Sequence, residues 1–504
     1  MRKVLYILFV AAVVLLVGCS VQEQPETVYA ESEQRLMQRF FIAKTENKQL
    51  KEDIQFEYDS LNRRFTFETQ RWIDGIDSLR PTFFADGEAY IEDVEQLPGI
   101  TSCNFSKREV EYVVRNTRQM TQQKCTVSIV SPQTTGLPIL RIDIAGGKTV
   151  EDKETYLPAT YVLSTTDSTL MGTLEIRGRG NSTWWQKKKP YRIKLTESVS
   201  LFGMHKARSW VLLANALDAS LITNTVGLEL ARRMELPCTN HGQHVELYIN
   251  GAYAGNYFLT EQIQVHKGRV EADTLKGGFL VELDLNYDEQ FQFKTPIYKV
   301  PVMLKQPKNS SAMNEVRTIF VEIERLLAQS NPDYDKLSAL IDMPSLARYM
   351  LLNDLVYNGE FGHPKSVYCF CRSREVPIEW GPAWDYDWAY GYIGTQYLYF
   401  QHVDNLMFDL TRNPLQLGGA GGNFFSRFFR IPEFRELYKQ EWQRVLPAVS
   451  DIDNYVWQQG RQLEYSWLEN HKRWGAPDIK KQYSYMDMMS FLDRRIEKIT
   501  ETTK

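Results

Sequence analysis

Leu174-Glu175-Ile176-Arg177-Gly178-Arg179-Gly180-Asn181-Ser182-Thr183-Trp184 is followed, two residues on, by Lys187-Lys188-Lys189-Pro190-Tyr191-Arg192-Ile193-Lys194-Leu195. Polar and apolar residues alternate on both sides of the glycines, the period of β-strands. Arg192 and Lys194 therefore share a face of the second strand. Glycine lets backbone N–H groups approach an anion closely, and Asn181, Ser182 and Thr183 add side-chain donors. Two readings fit: a cradle for a polyphosphate, or a tight hairpin turn followed by a solvated basic run. Taken alone, the segment favours the turn. It is not a Walker A motif and it lacks the third glycine of a dinucleotide loop.

Further strands are expected at Ile139–Ile144, Ala159–Leu163, Gly278–Leu283 and Val302–Leu304. Val245–Ile249 and Tyr253–Thr260 alternate around Asn250-Gly251, a strong hairpin signal. Between them, Leu221, Ile222, Val226, Leu230 and Met234 recur at helical spacing, which predicts a helix over Ala219–Met234. From Met313 the helical period dominates, with Val316, Ile319, Phe320, Ile323, Leu326 and Leu327 on one stripe. Asp342 is the expected N-cap of a helix over Met343–Asn358, with Pro344 in its first turn. A β-insertion is expected at Ser366–Ile378, a flexible connection at Gly418–Gly422 and helices from Asn423 onward. Strands first and helices later make an α+β fold.

The sharpest chemical signal is Pro382-Ala383-Trp384-Asp385-Tyr386-Asp387-Trp388-Ala389-Tyr390-Gly391. In extended chain the carboxylates of Asp385 and Asp387 point the same way, and Trp384, Tyr386 and Trp388 wall the other face. Adjacent like charges are costly without a cation. Mg²⁺ binds through one or two carboxylates plus substrate phosphates. The plainer alternative is a pair of aspartates capping the turn before Gly391. His241 and His244 form an HxxH with no third ligand candidate nearby and read as ordinary polar histidines.

Taken in order, the glycine turn and basic strand, Trp210–Leu213, Asp218-Ala219-Ser220, Gly255–Glu261, Gly278–Asp284 and the Trp384–Trp388 motif resemble the spore-coat CotH kinase family. The resemblance implies an atypical kinase-like domain over residues 138–504, with a β-rich first lobe and a helix-rich second lobe. It implies phosphorylation of protein Ser/Thr by ATP with Mg²⁺ or Mn²⁺. Carried onto this chain, Asp385 is a catalytic residue and metal ligand, and Asp387 is a second ligand. Glu360, in Asn358-Gly359-Glu360, stands where the family usually has a catalytic Asp; Asp354, one helical turn earlier, competes for that role. The nucleotide falls to Arg177, Gly178, Gly180, Asn181, Ser182, Arg192 and Lys194. Glu261 or Glu282 pairs with Arg192 or Lys194 as a kinase Lys–Glu pair does, or forms a plain hairpin salt bridge. Thr223 before Asn224 departs from the Arg-Asn that relatives often carry.

Ahead of this domain, Arg2 and Lys3 precede a short apolar run that ends Leu16-Val17-Gly18-Cys19. This ending resembles a bacterial lipobox. It implies a signal segment over residues 1–19, lipid on Cys19, a polar tether over 20–36 and a place in the cell envelope, inner or outer membrane left open. Residues 37–131 read as a small β-sandwich. On Leu79–Phe83, Cys103-Asn104-Phe105 and Cys125–Val130 it resembles the Ig-like modules of exported Bacteroidetes proteins, a spacer. Pro132–Pro138 reads as a linker. Six cysteines are too few for a disulfide-built fold, and pairing of Cys103 with Cys125 stays open. Lys plus Arg is 59 and Asp plus Glu is 63, so charge gives no case for a nucleic-acid partner. The expected function is an anchored, exported CotH-like kinase of unknown protein substrate. The alternative is a weakly active or inactive CotH fold that binds a protein or glycan, since ATP is scarce outside the cytoplasm.

Overall fold

The computed structural model describes residues 27–392, 403–410, 418–475 and 485–504. The expected signal segment, Cys19 and the start of the tether lie outside the described residues. The chain forms two compact units. The first comprises residues up to Phe67 with Asp77–Asn104 and Glu109–Ser128; the second comprises Glu68–Ile76, Phe105–Arg108 and Ile129–Lys504.

Two β-sheets build the first unit. One has the spatial order Glu57–Asp59, Arg64–Glu68, Thr121–Val130, Glu109–Asn116, Glu88–Ile91, Val94–Gln96; the other is Ile54–Gln55, Met37–Ile42, Thr82–Ala85. Phe40 of the smaller sheet meets Tyr112 of the larger edge to face, centroids 5.4 Å apart, so the sheets share an aromatic core. Cys103 and Cys125 are buried free thiols.

The second unit opens with a closed seven-stranded barrel. Ile139–Ile144, Leu157–Ser164, Thr169–Gly178, Tyr191–Val199 and Ala207–Leu213 follow one another around it. The hairpin Gly242–Ile249 and Ala252–Glu261 completes it: the second strand pairs with Ala207–Leu213 and the first pairs in parallel with Ile139–Ile144. Asn250 and Gly251 have φ of 51° and 75°, as a primed hairpin turn requires. Closure leaves no bare edge. Alternation sends Ile176, Ile193, Leu195 and Trp210 into the barrel core and leaves Arg177, Arg192 and Lys194 on its outer face.

Beside the barrel chain lies a five-stranded antiparallel sheet in the order Gln292–Lys294, Pro301–Gln306, Phe279–Leu283, Val367–Cys371, Glu379–Trp380. Val367–Cys371 is buried along its whole length, which explains an apolar run without alternation. Asp342 caps the helix Met343–Leu355, accepting from the Ser345 N–H at 2.8 Å. That helix stops short of Asn358 because Tyr357 adopts φ 47°, which no α-helix passes through. In the C-terminal helix Tyr485–Thr502, buried Arg495 pairs with Asp354 at 2.6 Å.

Two connections differ from expectation. Pro132–Pro138 is no open linker. Ser131 caps a buried 3₁₀ turn over Pro132–Thr134, and the Thr135 hydroxyl donates to Glu246 at 2.8 Å. Gly418–Gly422 is no flexible loop either. Gly419–Phe425 is helical, and a Cβ at Gly421 would lie 2.5 Å from the Phe361 carbonyl oxygen, so the glycines serve close packing. Among the described residues no helix is long and apolar enough to cross a membrane.

Candidate active site

A cleft of 330 Å³ is lined by the outer face of the barrel, the five-stranded sheet and the acidic segment around Asp385. On the barrel wall, Arg177 and Arg192 are cross-strand partners. The Nε of each is buried with no hydrogen-bond partner among the described residues. Burial holds the Arg192 guanidinium below its ordinary value, and the charges of Arg177 and Arg179 push the same way. Buried donors of this kind are costly unless an anion completes them. Gly180 turns at φ 85° and brings Asn181 and Ser182 to the cleft.

Gly178 does a different job from the one expected. Its N–H donates to the Asp152 carbonyl at 2.9 Å, and a Cβ there would lie 2.3 Å from the Trp184 ring. It is a packing glycine outside the cleft lining. Lys194 also lies outside the cleft, 3.7 Å from Glu175.

The acidic wall is held by hydrogen bonds from Asn224 and Ser366. Asp385 sits at φ 65°, so the segment is not the extended chain that strict alternation assumed. Trp384 and Trp388 still line the cleft. Tyr386 instead packs into the core against Gly227, where a Cβ would lie 2.3 Å from its ring. Asn224, near the start of the helix Thr223–Arg233, donates to Asp387 Oδ1 at 2.7 Å and accepts from the Tyr386 N–H at 2.9 Å. Ser366 donates its hydroxyl to Asp385 Oδ2 and its N–H to Asp284 Oδ2, each at 3.2 Å. Burial, then the Asp385 charge, raises the Asp387 carboxyl well above the usual range; the Asn224 bond opposes this. Glu360 is raised for the same two reasons, its Oε2 is buried without a partner among the described residues, and Lys365 Nζ lies 3.6 Å from Oε1. Burial, then Glu282, pushes Asp284 up to about 6.

A Lys–Glu pair is present, but its lysine is Lys305. Lys305 Nζ lies 2.8 Å from Glu282 and 2.7 Å from Glu289, and the Tyr368 hydroxyl donates to Glu282 at 2.6 Å. Glu261 is elsewhere, accepting from the His241 N–H at 2.9 Å and facing Arg269 at 3.6 Å. Asp354 is consumed by Arg495 and lies outside the cleft lining. Thr223 donates both its N–H and its hydroxyl to Asp218 at 2.9 Å, so the departure from Arg-Asn falls on the buried first residue of that helix. His244 is buried between Thr225 and Asn256, and burial pushes its imidazole down to about 4.

Lys305, Asp284, Lys365 and Asn224 are cleft residues that the sequence reading left without a role. Asp284 offered a signal, an acid ending the apolar run Gly278–Leu283. Nothing in Pro301–Gln306 separates Lys305 from a solvated strand end. The donor set fits a hard cation with a polyphosphate, carboxylates on one wall and unspent guanidinium donors on another. Among the described residues no three His, Cys, Asp or Glu side chains are grouped to hold a metal alone. A cation here would rest on one or two carboxylates plus phosphate oxygens.

Residues 176–498, more than half of the chain, match the sequence model of the family described as CotH kinase protein. The chain belongs to this family. No curated protein matches the chain. The CotH match begins in the strand that delivers Arg177 and runs on into the helix that carries Arg495. Every cleft residue discussed above lies within it.

Proposed function

We propose that this CotH protein transfers the γ-phosphoryl group of ATP to Ser or Thr hydroxyls of a protein, with Mg²⁺ or Mn²⁺, and is held at the cell envelope by lipid on Cys19. The first unit, read as an Ig-like spacer, stands between anchor and catalyst in the chain. One observation carries the reading: the buried Nε donors of Arg177 and Arg192, without partners among the described residues, share a cleft with Asp385 and Asp387. Phosphoryl transfer is mostly positioning and charge stabilisation, and it uses these two kinds of group. Arg177, Arg192 and the Gly180–Ser182 turn bind the phosphates. Asp385 and Asp387 hold the cation, which neutralises phosphate charge when bound. Lys305 is held on the sheet wall by Glu282 and Glu289. Glu360 orients the acceptor hydroxyl and takes its proton.

One observation favours the alternative, a surface protein that binds a protein or glycan with little catalysis. Burial, then the Asp385 charge, raises the Glu360 carboxyl well above its ordinary value, which works against a resting base. The deciding experiment incubates purified protein with labelled ATP, Mg²⁺ or Mn²⁺ and dephosphorylated casein. The transferase reading expects label on Ser or Thr and its loss in Asp385→Ala. Folded protein that transfers no label with either metal supports the binding reading.

A further inference from the structure

We infer that Lys365 binds the phosphoryl group in transit, a role that rests on the transferase reading above. Lys365 lines the cleft and directly precedes Ser366, the residue that holds Asp284 and Asp385. Its side chain is 25% exposed, and its ammonium lies 3.6 Å from Glu360 Oε1 and 4.6 Å from the Trp388 ring centroid. The other cleft cations are Lys153, Arg177, Arg179, Arg192 and Lys305. Lys305 is consumed by two carboxylates at 2.8 and 2.7 Å. Arg177 and Arg192 belong to the barrel wall.

At 3.6 Å the Lys365–Glu360 contact is an ion pair too long for a hydrogen bond. Glu360 is only 6% exposed, and its Oε2 has no hydrogen-bond partner among the described residues. Both groups therefore keep hydrogen-bonding capacity at the place where Asp385 would bring a phosphate. An oxygen of the γ-phosphoryl group completes the ammonium, and Glu360 is left to the acceptor hydroxyl. The step balances. The acceptor oxygen bonds to phosphorus, the bond from phosphorus to the bridging oxygen breaks with its electron pair kept by the nucleoside diphosphate, and the hydroxyl proton passes to Glu360. Lys365 stabilises the charge spread over the equatorial oxygens.

The test is calorimetric titration of the folded protein with Mg²⁺·ADP and with Mg²⁺·AMP-PNP, which differ by the terminal phosphate. Wild type is expected to bind AMP-PNP more tightly than ADP. Lys365→Met is expected to lose about tenfold or more for AMP-PNP, the size of one charge-assisted hydrogen bond, and to keep its ADP affinity within about twofold. Lys365→Arg is expected to retain most of the discrimination, and Lys365→Gln serves as a second neutral variant if Met disturbs the fold. Equal losses for both nucleotides, or no loss for either, overturn the role of Lys365 and leave the transferase reading standing. Wild-type protein that binds neither nucleotide overturns that reading, and this role with it.

Discussion

Asp284 carries a pH dependence whose sign follows from its surroundings. Burial, then the Glu282 charge, raises its carboxyl from 3.8 to about 6, so the folded chain binds this proton more tightly than the unfolded chain. The stability this proton gives is fully present below the unfolded value and is lost as pH rises through about 6, roughly 3 kcal/mol in all. Asp284→Asn is expected to melt higher than wild type in mildly alkaline buffer and to flatten the loss of stability across the acid range. Melting curves on both sides of that range check it, and a variant less stable in alkali contradicts it. Removing the Asp354 carboxyl is expected to destabilise the fold instead. Its buried pair with Arg495, 141 residues away, is worth about 3–5 kcal/mol to break. Asp354→Ala should lower the melting temperature sharply, whereas Asp385→Ala should leave it nearly unchanged while abolishing transfer. Spacing alone offered Asp354 as a rival to Glu360. The two separate only through a partner so distant that no local pattern announces it.

The helix Thr223–Arg233 fixes the acidic segment through Asn224 and through Gly227, against which the Tyr386 ring lies. Gly227→Ala has no room and is expected to cost about 1–3 kcal/mol by overpacking. It should also weaken Mn²⁺ binding by displacing Asp385 and Asp387. Thermal unfolding and a Mn²⁺ titration read the two effects; a variant with unchanged melting and unchanged titration contradicts the packing account. Elements of this size were legible where the signal is local. The Asn250-Gly251 hairpin, the Asp342 cap and the stripe from Val316 to Leu327 each follow from a short pattern. Barrel closure was not legible, because pairing of Ile139–Ile144 with Gly242–Ile249 joins strands about a hundred residues apart. The Asp385 φ of 65° broke the alternation that placed Tyr386 on the cleft wall. The glycine run near Gly421 was misjudged because composition cannot tell freedom from close approach.

For the molecule as a whole, the proposed function joins an anchor, a β-sheet unit and a CotH domain in one chain. If Cys19 carries lipid, Cys19→Ser should move the protein from the detergent-soluble membrane fraction to the aqueous fraction in cell fractionation; unchanged partition contradicts the anchor. The Trp384–Trp388 motif is a short run that named cleft residues directly, whereas the glycine turn read alone as a plain turn and was tied to a cleft only through the family resemblance. What joins them, Lys305 with Glu282 and Lys365 with Glu360, arises from sheet pairing and loop placement far along the chain. The most direct measurement of the central claim is a crystal structure of the protein grown with Mn²⁺ and AMP-PNP, read by manganese anomalous scattering. The account predicts manganese bound by Asp385, with the phosphates on Arg177 and Arg192. Manganese bound elsewhere, or a nucleotide outside this cleft, would contradict it.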